Sequence, residues 1–178
     1  MSRIPTPFAA MFAAGILLGI AVGPANAEVL KFTYKGTVTD AEIFEPGDPD
    51  DPPATVHPGQ KFAGSFSLDT DDIALEEDSY YYGPLQSVTF SLPEENLDED
   101  FSGPIGVLFH YPDTGRTAIF GGRPGYQYQV GIVLDTGSGP FNGTSIFGKS
   151  GALQFRKVGP SGFQIGGTAV VAPVPEPA

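Results

Sequence analysis

The sequence predicts an all-β protein, an antiparallel β-sandwich with a jelly-roll-like arrangement or a barrel as alternatives. Three observations lead there. Eight short runs alternate apolar and polar side chains with the period of a half-buried strand. Clusters rich in Gly, Pro, Asn and Asp separate them, from a pool of 24 Gly and 18 Pro. No stretch beyond residue 27 shows a helical period, and the recurring prolines would break one. The 14 Phe and 7 Tyr supply the bulk of a packed core, which disordered chains lack.

Residues 1–27 read as a cleavable export signal. Arg3 gives the positive start, Phe8 to Val22 the apolar run, Gly23-Pro24 a break, and Ala25-Asn26-Ala27 the small-x-small pattern of a signal peptidase site. Cleavage is expected between Ala27 and Glu28. The apolar run is shorter than the ~20 residues that span a bilayer. The mature protein is expected to be secreted or cell-surface, and residues 28–171 have the size of one domain.

Within that domain, Phe32 to Val38 places Phe32, Tyr34, Gly36 and Val38 on one face and Thr33, Lys35 and Thr37 on the other. Strands are expected at Lys61 to Leu68, Leu85 to Leu92, Ile105 to Tyr111, Arg116 to Phe120, Tyr126 to Leu134, Gly151 to Val158 and Phe163 to Val171. Pro112-Asp113-Thr114-Gly115 joins two of them as a hairpin turn, since proline presets φ and glycine accepts positive φ. Glu45 to Gly59 and Pro93 to Pro104 read as loop excursions. Residues 172–178 form a proline-rich tail.

Composition excludes several function classes. With 21 acidic against 9 basic side chains the chain carries −12 at pH 7, and Arg3 leaves with the signal. Such a surface repels phosphate backbones, so no nucleic acid, DNA or RNA, is expected as a partner. The absence of cysteine removes thiol catalysis, disulfides and Cys-based zinc sites.

Several motifs invite chemistry. Asp135-Thr136-Gly137-Ser138 resembles the catalytic loop of aspartic proteases, yet two carboxylates must share a proton there and the chain holds no second copy. A turn after a strand is the simpler reading. Acidic groups at Asp48, Asp50 and Asp51, at Asp69, Asp71 and Asp72, and at Glu94, Glu95, Asp98, Glu99 and Asp100 offer the oxygen ligands calcium prefers. Asp69, Asp71 and Asp72 are the metal candidates; otherwise no cofactor is expected. Tyr80, Tyr81 and Tyr82, with Tyr111, Tyr126 and Tyr128, read as core packing or as a platform for stacking sugar rings. His57 and His110 have no nucleophile in a recognisable spacing, and Asn142-Gly143-Thr144 reads as a turn. No catalytic residue is assigned, and the expected role is non-enzymatic.

The tail Ala172-Pro173-Val174-Pro175-Glu176-Pro177 resembles the start of the sorting signal of PEP-CTERM proteins, a class of exported bacterial proteins. The sorting motif is Pro175, Glu176 and Pro177. Phe32 to Thr39, Gly59, and Phe62 to Asp71 likewise resemble the opening of many such proteins. In that class a transmembrane helix and an arginine-rich tail come after the motif, and an exosortase processes them. The sequence reaches Ala178 without either, so an exosortase is a partner only if the native chain continues. The resemblance implies a place at the cell surface or in an extracellular polysaccharide matrix. The alternative is a calcium- or glycan-binding module.

Overall fold

The computed structural model describes residues 29–43, 55–76, 80–101, 106–122, 128–158 and 162–174. The export signal, its cleavage site at Ala27 and Glu28, the Asp48–Asp51 acidic group, Tyr126 and the Pro175–Pro177 motif lie outside them.

Among the described residues, ten strands succeed one another as β1 (Val29–Ile43), β2 (Lys61–Asp69), β3 (Ala74–Glu76), β4 (Tyr80–Leu92), β5 (Leu97–Asp100), β6 (Gly106–Tyr111), β7 (Arg116–Gly121), β8 (Tyr128–Asp135), β9 (Ser150–Lys157) and β10 (Phe163–Pro173). All pairings are antiparallel. The sheet runs β2-β1-β10-β9-β8-β7-β6-β4, and β2 pairs back onto β4, so eight strands close into a barrel. Of the architectures the sequence left open, the barrel is the one formed. Apart from β3 and β5, each strand pairs with its next neighbours in the chain, which is the up-and-down arrangement.

The eight expected strands are present with ends shifted by up to five residues, β1 running on to Ile43 and β4 beginning at Tyr80. Two more appear inside segments expected to be loops or turns. The Pro93–Pro104 segment holds a 3-10 turn at Pro93–Glu95, a left-handed Asn96 (φ 52°) and then β5, which pairs with Thr89–Leu92. Asn tolerates that backbone better than most residues. β3 pairs with Tyr80–Tyr82.

Alternation along the strands fills the barrel. Phe32, Tyr34, Phe62, Phe66, Phe90 and Phe155 point inward and are fully buried, with Phe90 and Phe155 stacked at 4.0 Å. Each such ring contributes roughly 1.5–3 kcal/mol by leaving water. Three inward glycines make room for them: a Cβ at Gly36 or Gly167 would run into the Phe62 ring, and one at Gly64 into the Tyr34 phenol. Through that gap the Tyr34 hydroxyl donates to the Thr89 carbonyl. Burial pushes the Tyr34 pKa far above the ordinary phenol value, so the group stays a donor.

Both ends are plugged. At the rim where β1 begins, the 3-10 turn Thr144–Ile146 inserts a fully buried Ile146, and Phe147 packs on Phe32 at 5.3 Å. At the rim where β2 begins, Val56 is buried, and backbone bonds Val38 N to Gln60 O and Gly59 N to Val38 O hold its loop. The outer faces of β1 and β2 carry Lys31, Thr33, Lys35, Thr37, Lys61 and Ser65. On these two strands the large apolar side chains face the interior and most outward ones are polar.

Candidate functional site

A filled and plugged interior leaves the outer surface as the place for a ligand. Among the described residues that surface is mostly polar with scattered apolar side chains such as Val133 and Val170, and one band of it gathers aromatic rings. On β4, Tyr80, Tyr82 and Pro84 face outward; Tyr82 and Pro84 pair with Phe109 and Val107 of β6, the Tyr80 ring lies beside Tyr111, and Val107 pairs with Phe120 of β7. The rings touch in series: Tyr80 to Tyr111 at 5.8 Å, Tyr80 to Phe109 at 5.9 Å, Tyr82 to Phe109 at 5.3 Å, and Phe109 to Phe120 edge-on at 6.3 Å. Tyr111 and Phe120 each keep 42% of their surface exposed. Five aromatic residues thus line a continuous strip on the outside of three strands.

Beyond Phe120 the strip meets a groove of about 390 Å³ across β7 to β10. Gly131 of β8 pairs with Phe120 on one side and Gln154 of β9 on the other. With no side chain at Gly131, the Phe120 ring settles over it; a Cβ would stand 3.2 Å from two ring carbons. Gln129, Arg156 and Gln164 form the next cross-strand row.

The structure divides the tyrosines expected to share a platform. Tyr80, Tyr82 and Tyr111 join the strip. Tyr81 lies on the opposite face of β4 with its ring 5.9 Å from His110. Tyr128 sits at the far end of β8, stacks on Phe155 at 6.2 Å and hydrogen-bonds Glu99. Burial first, then the Glu99 charge and hydrogen bond, raise the Tyr128 pKa. Burial likewise raises that of Glu99, offset in part by the Tyr128 bond and Lys157.

The three calcium candidates lie at and just beyond the end of β2. Asp69 ends that strand and its Oδ1 accepts the Asp71 amide at 3.0 Å, capping the 3-10 turn Thr70–Asp72. Asp71 and Asp72 stand exposed on that turn. Among the described residues no group of three His, Cys, Asp or Glu side chains converges as a metal site. The carboxylate of Glu95 instead accepts from the Thr55 amide (3.1 Å) and hydroxyl (2.6 Å) and from Gln60 Nε2 (3.0 Å). Burial pushes its pKa upward, but those three bonds and the nearby His57 together outweigh it, so the net shift is downward.

The protease-like loop is structural in position. Asp135 is exposed and pairs with Arg116, whereas Thr136 is buried and donates to the Gly115 carbonyl at 3.0 Å. Thr117 and His110 continue that buried cluster, Thr117 Oγ1 lying 2.8 Å from Thr136 Oγ1 and 2.9 Å from His110 Nδ1. The His110 Nε2 proton goes to the Gly139 carbonyl at 2.8 Å, which ties the 136–140 loop to β6. His57 Nδ1 lies 3.0 Å from its neighbour's Pro58 carbonyl. Asn142 Oδ1 accepts from the Ser145 amide, closing a turn around Gly143 (φ 73°).

Phe109, Phe120, Gln154 and Gln164 were missed in the sequence. A signal existed for Phe109 alone: Val107, Phe109 and Tyr111 share the face opposite Leu108, so the β6 run carries apolar residues on both sides.

No protein-family model matches this chain. No curated protein matches it.

Proposed function

We propose that this is an exported, non-enzymatic protein of the cell surface or extracellular matrix that holds polysaccharide on the outer face of its barrel. The observation that carries the reading is the strip Tyr80, Tyr82, Phe109, Tyr111 and Phe120. The core is filled without these rings, so their burial does not explain their presence on the outside. Contiguous exposed aromatic surface marks a contact site, and tyrosine suits sugars because an apolar face meets the pyranose ring while the hydroxyl bonds its edge. The −12 net charge favours uncharged polymers over polyanions. A non-catalytic role is favoured because the buried His110, Thr117 and Thr136 cluster spends its donors and acceptors on joining loops. The PEP-CTERM resemblance of the tail is a further support for the location.

The test is affinity electrophoresis of the mature protein through gels containing exopolysaccharide purified from the source organism. The wild type is expected to be retarded. The double variant Tyr80→Ala/Tyr111→Ala is expected to lose about tenfold in affinity at unchanged thermal stability. Mobility indifferent to the polysaccharide would overturn the reading.

A further inference from the structure

The groove beside Phe120 differs in chemistry from the strip that leads to it. Its floor is the Phe120 ring lying over Gly131, and three carboxamides, Gln129, Gln154 and Gln164, stand around it with Arg156. Neighbouring strands stand ~4.8 Å apart and alternate residues ~6.7 Å, so Gln154 and Gln164 bracket a patch about the size of one sugar ring. Each carboxamide both donates and accepts, which matches a hydroxyl that does the same. Gln129 and Arg156 are already engaged within the protein, which leaves Gln154 and Gln164 to carry recognition. On the next strand, the Asp40 carboxylate lies against Gly166, which pairs with Gln154. Arg156 also lines the groove, but it is already engaged within the protein, so the Asp40 carboxylate and the chain's −12 net charge weigh against a uronate.

We infer that this groove is a subsite for a neutral hexopyranose unit, with Phe120 stacking on the sugar's apolar face and Gln154 and Gln164 bonding its hydroxyls. The inference rests on the polysaccharide reading and adds to it the class of sugar and the residues that select it. The strip then holds the chain of sugars, and the groove reads one unit of it.

The experiment is an amide NMR titration of the mature protein with cellohexaose, maltohexaose and mannohexaose, with hexaguluronate as the charged control. At least one neutral hexasaccharide is expected to shift the side-chain amide signals of Gln154 and Gln164. Gln154→Ala/Gln164→Ala is expected to weaken that binding about tenfold, the loss of one or two hydrogen bonds, with thermal stability unchanged. Shifts confined to the strip, with the double variant binding as the wild type, would overturn the groove and leave the polysaccharide function standing. Preference for hexaguluronate would overturn the neutral class. Failure of every hexasaccharide, in a protein still retarded by its own exopolysaccharide, would overturn the subsite alone; failure in both assays would remove both.

Discussion

Glu95 accepts three hydrogen bonds from Thr55 and Gln60, and through them it holds the loop that places Val56 in the barrel mouth. Its folded-state pKa is lowered below the ordinary carboxylate value of 4.5. A lowered carboxylate pKa stabilises the fold at pH above the unfolded value, and that contribution is lost as pH falls through the folded one. Glu95→Gln should therefore lower the melting temperature at neutral pH, by an amount equivalent to about 1 kcal/mol because the site is largely solvent-exposed. The difference from wild type should shrink below pH ~4; a difference of constant size from pH 7 to pH 2.5 would show that the charge is not what matters. Glu99 has the opposite sign, its raised pKa favouring the folded state as pH falls. Neither role was legible in the sequence, where both residues belong to one acidic run. Which of several adjacent carboxylates meets Thr55 or Tyr128 is decided by contacts across 40 and 29 positions of chain. Asp113 was legible as a turn residue because its neighbours Pro112 and Gly115 fix the turn locally, with Gly115 at φ 66°.

At the scale of the strand, period-two alternation identified β1 and its inner face, Phe32, Tyr34, Gly36 and Val38, without reference to any partner. What alternation cannot say is why a glycine occupies an inward position. Gly36 faces Phe62 across the β1–β2 pair, and Gly64 lies over Tyr34. Both are cavities pre-cut for rings carried by the neighbouring strand. Gly36→Ala should cost at least the 1–3 kcal/mol typical of overpacking, because the added methyl meets the Thr168 backbone carbonyl as well as the Phe62 ring. Gly137→Ala is the control: nothing stands within 4 Å of its Cβ, so only its φ of 85° is strained. Urea denaturation of the two variants should rank Gly36→Ala as the more damaging; the reverse order would mean that Phe62 can move aside. β3 and β5 were not legible for a related reason. β3 has three residues and β5 four, too few to show a period, and both exist by lying along β4.

For the whole molecule the decisive event is closure, which pairs the first strand with the last from Phe32–Pro173 to Ile43–Phe163. Sequence patterns report which face of a strand is buried, and a sandwich and a barrel bury the same faces, so closure was the part of the fold they could not settle. Its consequence is geometric. Val29 and Val174 leave the barrel at one rim, beside Tyr80, Tyr111, Asp135 and Ser150. Phe120, Gln129, Arg156 and Gln164 lie toward the other rim, where β2 begins and β10 starts at Phe163. A protein tethered by its C-terminal segment would therefore present the groove away from the tether. This arrangement predicts that a bulky domain fused after Val174 leaves cellohexaose, maltohexaose or mannohexaose binding within about twofold of the free protein, since the fusion emerges at the far rim. The same domain inserted between Gly122 and Tyr128, beside the groove, should abolish binding while the thermal transition persists. Loss from the fusion after Val174 alone would instead place the binding surface at the rim shared by the two chain ends, at the Tyr80 and Tyr111 end of the strip rather than at Phe120.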